Sequence, residues 1–266
     1  MPRLEIARVI RNTPISDRLW WCEYEAPGIA AAARPGQFAH VLCGPADAFD
    51  PMLRRPLSFS QIEPGAGRVA FLIEIVGRGT DWLVHRPPGA PIDFIGPLGT
   101  WFAFQPDRPR ALLVGGGIGL APLIALADIA AADGVIAELL CGGRDQHAIT
   151  PSHYIAANVD YAVATEDGSQ GRRGLVTDLA IERFHAADQI FVCGPTAMLR
   201  AMARLTNLQE DEARPKPVFS SLEARMGCAM GVCYSCVVQT TRGIKRVCCD
   251  GPVFPQAELR WRWTHG

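Results

Sequence analysis

The residues of this chain best equipped for chemistry are its cysteines. Nine occur in 266 residues, and five of them (Cys228, Cys233, Cys236, Cys248 and Cys249) crowd one C-terminal stretch. "MGCAMGVCYSC" (226–236) sets three at C-x4-C-x2-C, and "VCCD" (247–250) supplies the others. That spacing, followed by a later cysteine, is the plant-type pattern for a 2Fe–2S cluster. Thiolates are soft ligands suited to iron–sulfur, and Gly227 and Gly231 let a loop wrap closely enough to aim N–H groups at sulfur. A structural zinc site is the rival reading. Zinc more often uses paired C-x2-C knuckles, and one such pair exists here. A disulfide framework would spread its pairs along a secreted chain, whereas this clustering favours metal.

A second set of residues suits phosphate. "LLVGGGIGLAPLIALA" (112–127) places Gly115, Gly116, Gly117 and Gly119 between an apolar strand and an Ala/Leu-rich helix. Glycines let backbone approach a phosphate, and the helix start offers free N–H groups. Leu120 breaks the strict G-x-G-x-x-G pattern, so a plain tight turn is the alternative. "FVCGPTAM" (191–198) ends another strand at Cys193 and Gly194, and "ATEDGSQGRRG" (164–174) adds a polar loop. Ligands bind at the carboxyl ends of such strands. Three loops at one edge favour a dinucleotide cleft. Nearer the N-terminus, "RRPLSFS" (54–60) and "VGRGTDWL" (76–83) offer Arg55, Ser58, Gly77, Gly79 and Thr80. An arginine, a hydroxyl and a glycine turn together suit a diphosphate. Taken singly, each reads as an ordinary turn.

The elements that must position these groups follow from periodicity. "RLEIARVI", "RLWWCEYEA" and "RVAFLIEIV" alternate apolar and polar residues between Pro, Gly and Asp turns. Such runs predict an antiparallel β-barrel or sandwich. From residue 111 the rhythm becomes repeated strand and helix ("ALLV", "VIAELLC", "VDYAVAT", "QIFVCG"). That rhythm predicts a doubly wound parallel sheet. The expected division is 1–104 for the barrel, 105–215 for the α/β domain and 216–266 for a cluster segment. The last segment is too short for a core of its own and needs a staple. Net charge is −1, with 48% hydrophobic and 20% charged residues, and no basic block points to nucleic acid. No apolar run is long enough to span a membrane. Cytoplasm is the expected location.

The order barrel with R-P-L-S and G-x-G-T, then "GGGIGLAP", then "CGP", resembles the ferredoxin reductase superfamily. That resemblance implies flavin (FAD) on the barrel, held by Arg55, Pro56, Leu57, Ser58, Leu72, Ile73, Glu74, Gly79 and Thr80. It implies a nicotinamide dinucleotide on Gly115, Gly116, Gly117 and Gly119, with Cys193 and Gly194 near the nicotinamide. "SLEARMGCAMGVCYSCVV" with "KRVCCDGPVF", and the loop "TEDGSQGRRGLVTD", are similar to the electron-transfer subunits of type B dihydroorotate dehydrogenase. By that resemblance the cluster ligands are Cys228, Cys233, Cys236 and Cys248. Cys249 departs from the pattern, which more usually has a charged residue there. The family implies electron flow from dihydroorotate through FMN on a separate catalytic subunit, then cluster and FAD, to NAD+. Its members work as hetero-oligomers. The alternatives are a reductase subunit of another complex, of sulfide dehydrogenase or hydrogenase diaphorase type, and a non-catalytic zinc-stabilised binding module. "CGGRDQ" (141–146) offers Arg144 for a 2′-phosphate and Asp145 for ribose hydroxyls, and the resemblance favours NAD. The apolar "GPVFP" (251–255) is expected to be covered by a partner subunit.

Overall fold

The computed structural model describes residues 1–45, 47, 49–208 and 215–261. The alternating N-terminal runs form a curled antiparallel half-barrel. Its strands are β1 (Arg3–Pro14), β2 (Leu19–Glu25), β3 (Phe38–Val41), β4 (Arg55–Ser58), β5 (Gln61–Glu63), β6 (Arg68–Glu74) and β7 (Pro91–Leu98). They lie in the order β4-β3-β7-β1-β2-β6-β5. Because side chains alternate across a strand, Cys22 and Tyr24, Ala39 and Val41, and Phe71 and Ile73 share the inner face. Tyr24, Phe71 and Phe94 meet edge to face there, with centroids 5.1–5.7 Å apart. Two short helices, α1 (Pro27–Ala30) and α2 (Arg78–Val84), decorate this lobe.

The second lobe holds β8 (Arg110–Gly116), β9 (Ile136–Gly143), β10 (Asp160–Thr165), β11 (Arg172–Arg173), β12 (Gln189–Cys193) and β13 (Val218–Ser221). A hairpin of β14 (Val237–Thr240) and β15 (Gly243–Arg246) follows, and β16 (Val253–Pro255) returns to the sheet. Sheet order is β11-β10-β9-β8-β12-β13-β16, parallel throughout except for β16. Helices α3 (Ala121–Ala130), α4 (Val176–Arg183) and α5 (Thr196–Leu208) cover it. Helix α3 carries no polar stripe, because it is wedged between the two lobes. Leu123, Ile124 and Ala127 share one core with Leu19, Trp21 and Leu72 of the half-barrel. Among the described residues, no helix is long and apolar enough to cross a membrane.

The C-terminal segment corrects one expectation. "GPVFP" is covered by this chain itself, as β16, pairing antiparallel with β13 through Ser220↔Phe254. Phe254 is 3% exposed and packs with Leu98, Leu112, Met226, Cys236 and Cys248. The free edge of β13 offers unpaired backbone groups, and burying an aromatic ring against it is worth about 3–5 kcal/mol on the scale of Phe→Ala losses. Thus strands C-terminal to residue 215 complete the α/β sheet as well as framing the cysteines. Thr100 fastens this segment to the half-barrel. Its N–H donates to Gly251 O at 2.6 Å, and its hydroxyl donates to Val253 O and accepts from Val253 N at 2.9 and 3.1 Å. Gly99 makes that approach possible. Its φ is +78°, and a side chain there would meet Pro252 at 2.6 Å.

Candidate cluster loop and cofactor cleft

Cys228, Cys233 and Cys236 lie on the irregular loop between β13 and β14, and Cys248 sits in a tight turn after β15. Ala229, Gly231 and Tyr234 adopt φ of +54°, +79° and +57°. Left-handed non-glycine residues cost of order 1–3 kcal/mol each and persist where surrounding structure enforces them. Here they coil the backbone around sulfur. The N–H groups of Met230 and Cys233 both donate to Cys228 Sγ at 3.4 Å.

The turn 246–250 gives two adjacent cysteines different exposure. Cys249 and Asp250 N–H groups donate to Arg246 O at 3.2 and 2.8 Å, and Arg246 N–H donates to Asp250 Oδ2 at 2.8 Å. Cys248 is 1% exposed within the core while Cys249 is exposed. Their sulfurs are 3.6 Å apart. Cys228 and Cys233 neighbour one another, and the Cys248 sulfur lies among the Cys236 and Cys249 thiols. Among the described residues, no three His, Cys, Asp or Glu side chains converge as one ion would require. The Ser235 hydroxyl, then backbone groups of Ser235 and Cys228, lower the Cys233 thiol to about 6. Burial first, then the Cys236 and Cys249 thiols, raise Cys248. Binding iron must displace that proton.

The glycine turn meets β12 at the carboxyl edge of the sheet. A side chain on Gly119 would fall 2.5 Å from Gly194 Cα and 2.6 Å from Cys193 O, so these loops touch backbone to backbone. Gly117 is the converse. At φ +53° it has nothing within 4 Å of where a side chain would sit, leaving its backbone facing open cleft. Gly115 and Gly116 end β8, against Leu120 and Met198 respectively. Cys193 is buried, and burial first, then Glu223, hold it a neutral thiol.

On the half-barrel, Arg55 Nε lies 3.5 Å from where a Gly79 side chain would begin, beside Cys43 and Pro51. Thr80 Oγ1 accepts from Val76 N at 3.0 Å and donates to Gly77 O at 3.1 Å, shaping that turn. Pro56, Leu57 and Ser58 are half-buried opposite His40, Ala39 and Phe38 of β3. Leu72 and Ile73 alternate, Leu72 toward α3 and Ile73 into the half-barrel core. Glu74 ends β6 and pairs with Arg18 at 3.5 Å. Phe49, Met52, Leu53 and Val76 stay exposed along the segments flanking Arg55 and Gly79, an apolar rim suited to a flat ring system. Beyond β9, Arg144 is exposed, whereas Asp145 is spent accepting from His147 N at 2.8 Å.

A family model described as the iron-sulfur cluster binding domain of dihydroorotate dehydrogenase B matches residues 223–260. Over 256 residues the chain is 38% identical to the dihydroorotate dehydrogenase B (NAD(+)) electron transfer subunit of Geobacillus thermodenitrificans, covering 94% of this chain and 96% of that one. The same subunit of Desulforamulus reducens is 34% identical over 268 residues, covering 98% and 100%. This chain belongs to the family of dihydroorotate dehydrogenase B electron transfer subunits. Its iron–sulfur domain sets the zinc reading aside. A solved structure of an NADH-dependent reduced ferredoxin-NADP oxidoreductase matches with TM-score 0.84 and 26% identity, over 97% of this chain and 90% of that one. The ferredoxin reductase of carbazole 1,9a-dioxygenase, at 22% identity and TM-score 0.67 over 80% and 68%, shares the fold.

Three residues of this family member escape a reading by motif. Glu223 is solvent-accessible yet walled in on most sides, and burial first, then Glu74, raise its carboxyl. It lines the junction between Cys193 and the half-barrel, and no local signal in the sequence marks it. Ser235 stands between two cysteines and bonds one of them. Arg246 clamps the loop, donating through Nη1 to Gly231 O and through Nε to Asp250 Oδ2, both at 3.0 Å. Its guanidinium lies 5.6 Å from the Tyr234 ring. Asp250 at i+4 was the sequence signal for that clamp. Arg246→Met is expected to leave the fold intact and speed cluster loss to chelator about tenfold, since a hydrogen bond to a charged group is worth ~1.5 kcal/mol. Bleaching of the visible absorption measures it, and an unchanged rate would rule the clamp out.

Proposed function

We propose that the chain is the electron-transfer subunit of an NAD+-dependent dihydroorotate dehydrogenase, working in the cytoplasm beside an FMN-containing catalytic subunit. Near-full-length similarity to named subunits carries the reading. The division 1–104, 105–215 and 216–266 assigns FAD, nicotinamide dinucleotide and 2Fe–2S cluster to successive segments. Cys228, Cys233, Cys236 and Cys248 are the proposed ligands, supported by the match of residues 223–260 to the family's iron–sulfur domain and by the C-x4-C-x2-C spacing. A bound flavin exchanges two-electron hydride chemistry for one-electron transfer, as nicotinamide and a 2Fe–2S centre require between them.

The chain's own groups bind and orient. Arg55 and the Gly79-Thr80 turn hold a diphosphate by charge and backbone N–H groups, with Pro56, Leu57, Ser58 and the Leu72-Ile73-Glu74 strand shaping the wall beside it. The open backbone at Gly117, ahead of α3, takes a pyrophosphate, flanked by Gly115, Gly116 and Gly119. Cys193 and Gly194 border the nicotinamide, where a neutral thiol adds bulk without charge. Met230, Val232, Tyr234, Val237 and Ile244 are exposed around the cysteines. Such an apolar collar fits a face that a partner subunit covers.

Alone, the FAD- and cluster-loaded chain should reduce artificial acceptors with NADH, faster than with NADPH, and leave dihydroorotate untouched. Mixing in the catalytic subunit should create dihydroorotate-dependent NAD+ reduction. Turnover of dihydroorotate by the isolated chain would overturn the reading. The likeness to the ferredoxin-NADP oxidoreductase supports a second reading, a reductase subunit of another complex. Failure of the mixed subunits to transfer electrons from dihydroorotate would favour it.

A further inference from the structure

We propose that Ser235 sets the reduction potential of the cluster by donating a hydrogen bond to the Cys233 sulfur. This rests on Cys233 being a ligand. Ser235 Oγ lies 3.2 Å from Cys233 Sγ and 3.0 Å from Gly227 N. The Gly227 N–H can only donate, so it occupies a lone pair on the hydroxyl oxygen. The hydroxyl proton is left to point elsewhere, and the sulfur is the acceptor within reach. A thiolate on iron carries no proton and can only accept. Direction is therefore fixed from both ends.

Reduction adds negative charge to the cluster and its thiolates. A donor aimed at a ligand sulfur stabilises the more negative state more, and so raises the potential. Ser235 touches neither substrate nor flavin and is a positioning residue.

The test is an EPR-monitored redox titration of the cluster in the purified holoprotein, wild type against Ser235→Ala and Ser235→Thr. Ser235→Ala should favour the oxidised cluster about tenfold, a midpoint lower by ~59 mV for one electron. Ser235→Thr, which keeps the hydroxyl, should restore the wild-type value, and the FAD midpoint should not move in either variant. An assembled cluster with an unchanged midpoint in Ser235→Ala would overturn the proposal while leaving the cluster assignment standing. A wild-type protein without a cluster would overturn both. If Ser235→Ala holds no cluster, the wild type decides alone. Its iron–thiolate stretching bands should shift within the mixing time in D2O, because a hydroxyl exchanges faster than a protected amide. Bands that do not shift promptly would overturn the proposal.

Discussion

Serine at Cys228, Cys233, Cys236 or Cys248 should strip this protein of nearly all its iron and labile sulfide, while Cys249→Ser should keep both. Soft iron–sulfur chemistry needs thiolate, and a serine hydroxyl neither ionises near neutral pH nor matches sulfur in softness. The loop has little else to hold the cluster. It runs through left-handed Ala229 and Tyr234, exposes Val232 and Tyr234, and of its cysteines buries only Cys236, with Cys248 from the following turn, in the core. Metal binding and local folding are one equilibrium in such a segment, so losing one ligand should lose the site. The cores of the half-barrel and of the α3 junction contain none of these cysteines. FAD should therefore stay bound. Cys249 is expected to be spared because Cys248, held in the core that also contains Cys236, is the proposed fourth thiolate. Iron and sulfide counts, with the visible spectrum, check the set. Iron lost from Cys249→Ser and kept in Cys248→Ser would reverse the assignment of the fourth ligand.

In the reconstituted complex, a cluster-free variant should show dihydroorotate-dependent NAD+ reduction no higher than background, with FAD reduction by NADH close to wild type. The two half-reactions use different parts of the chain. In the proposed assignment hydride exchange takes place in the cleft bordered by Gly117, Cys193 and Glu223, with Glu74 near Glu223. In the proposed complex, exchange with the partner passes the apolar collar around Cys228 and Cys233. Stopped-flow reduction of FAD by NADH, beside steady-state turnover with dihydroorotate, separates the two. Unimpaired transfer in a cluster-free complex would show that the loop is structural.

Much of this architecture is legible in the chain because local periodicity reports burial. Alternation along "RVAFLIEIV" marks a strand with one face in a core, and β6 indeed divides Phe71 and Ile73 from Leu72. The glycine turn is equally local, since a strand must stop and a helix must start within a few residues. Pro122 in the first turn of α3 fits that start. The cysteine spacing is local too, and it narrows the chemistry independently of the fold. What spacing conveys is which residue types lie within one loop's reach.

Residue identity and spacing thus determined the iron–sulfur loop, the nucleotide turn and the two sheets. Tertiary structure decided matters that depend on partners distant in sequence. "GPVFP" reads as an exposed apolar tail because nothing local reveals that β13 has an unpaired edge waiting for it. Cys248 and Cys249 are indistinguishable by composition, and the Arg246–Asp250 turn alone turns one inward and the other to solvent. Helix α3 shows no stripe because two lobes bury it from opposite sides. Glu223 has no motif at all, and its place beside Cys193 and Glu74 arises where three separate strands end together. Short-range patterns fix how a segment folds, whereas the surface it folds against is set by contacts that only the closed chain can make.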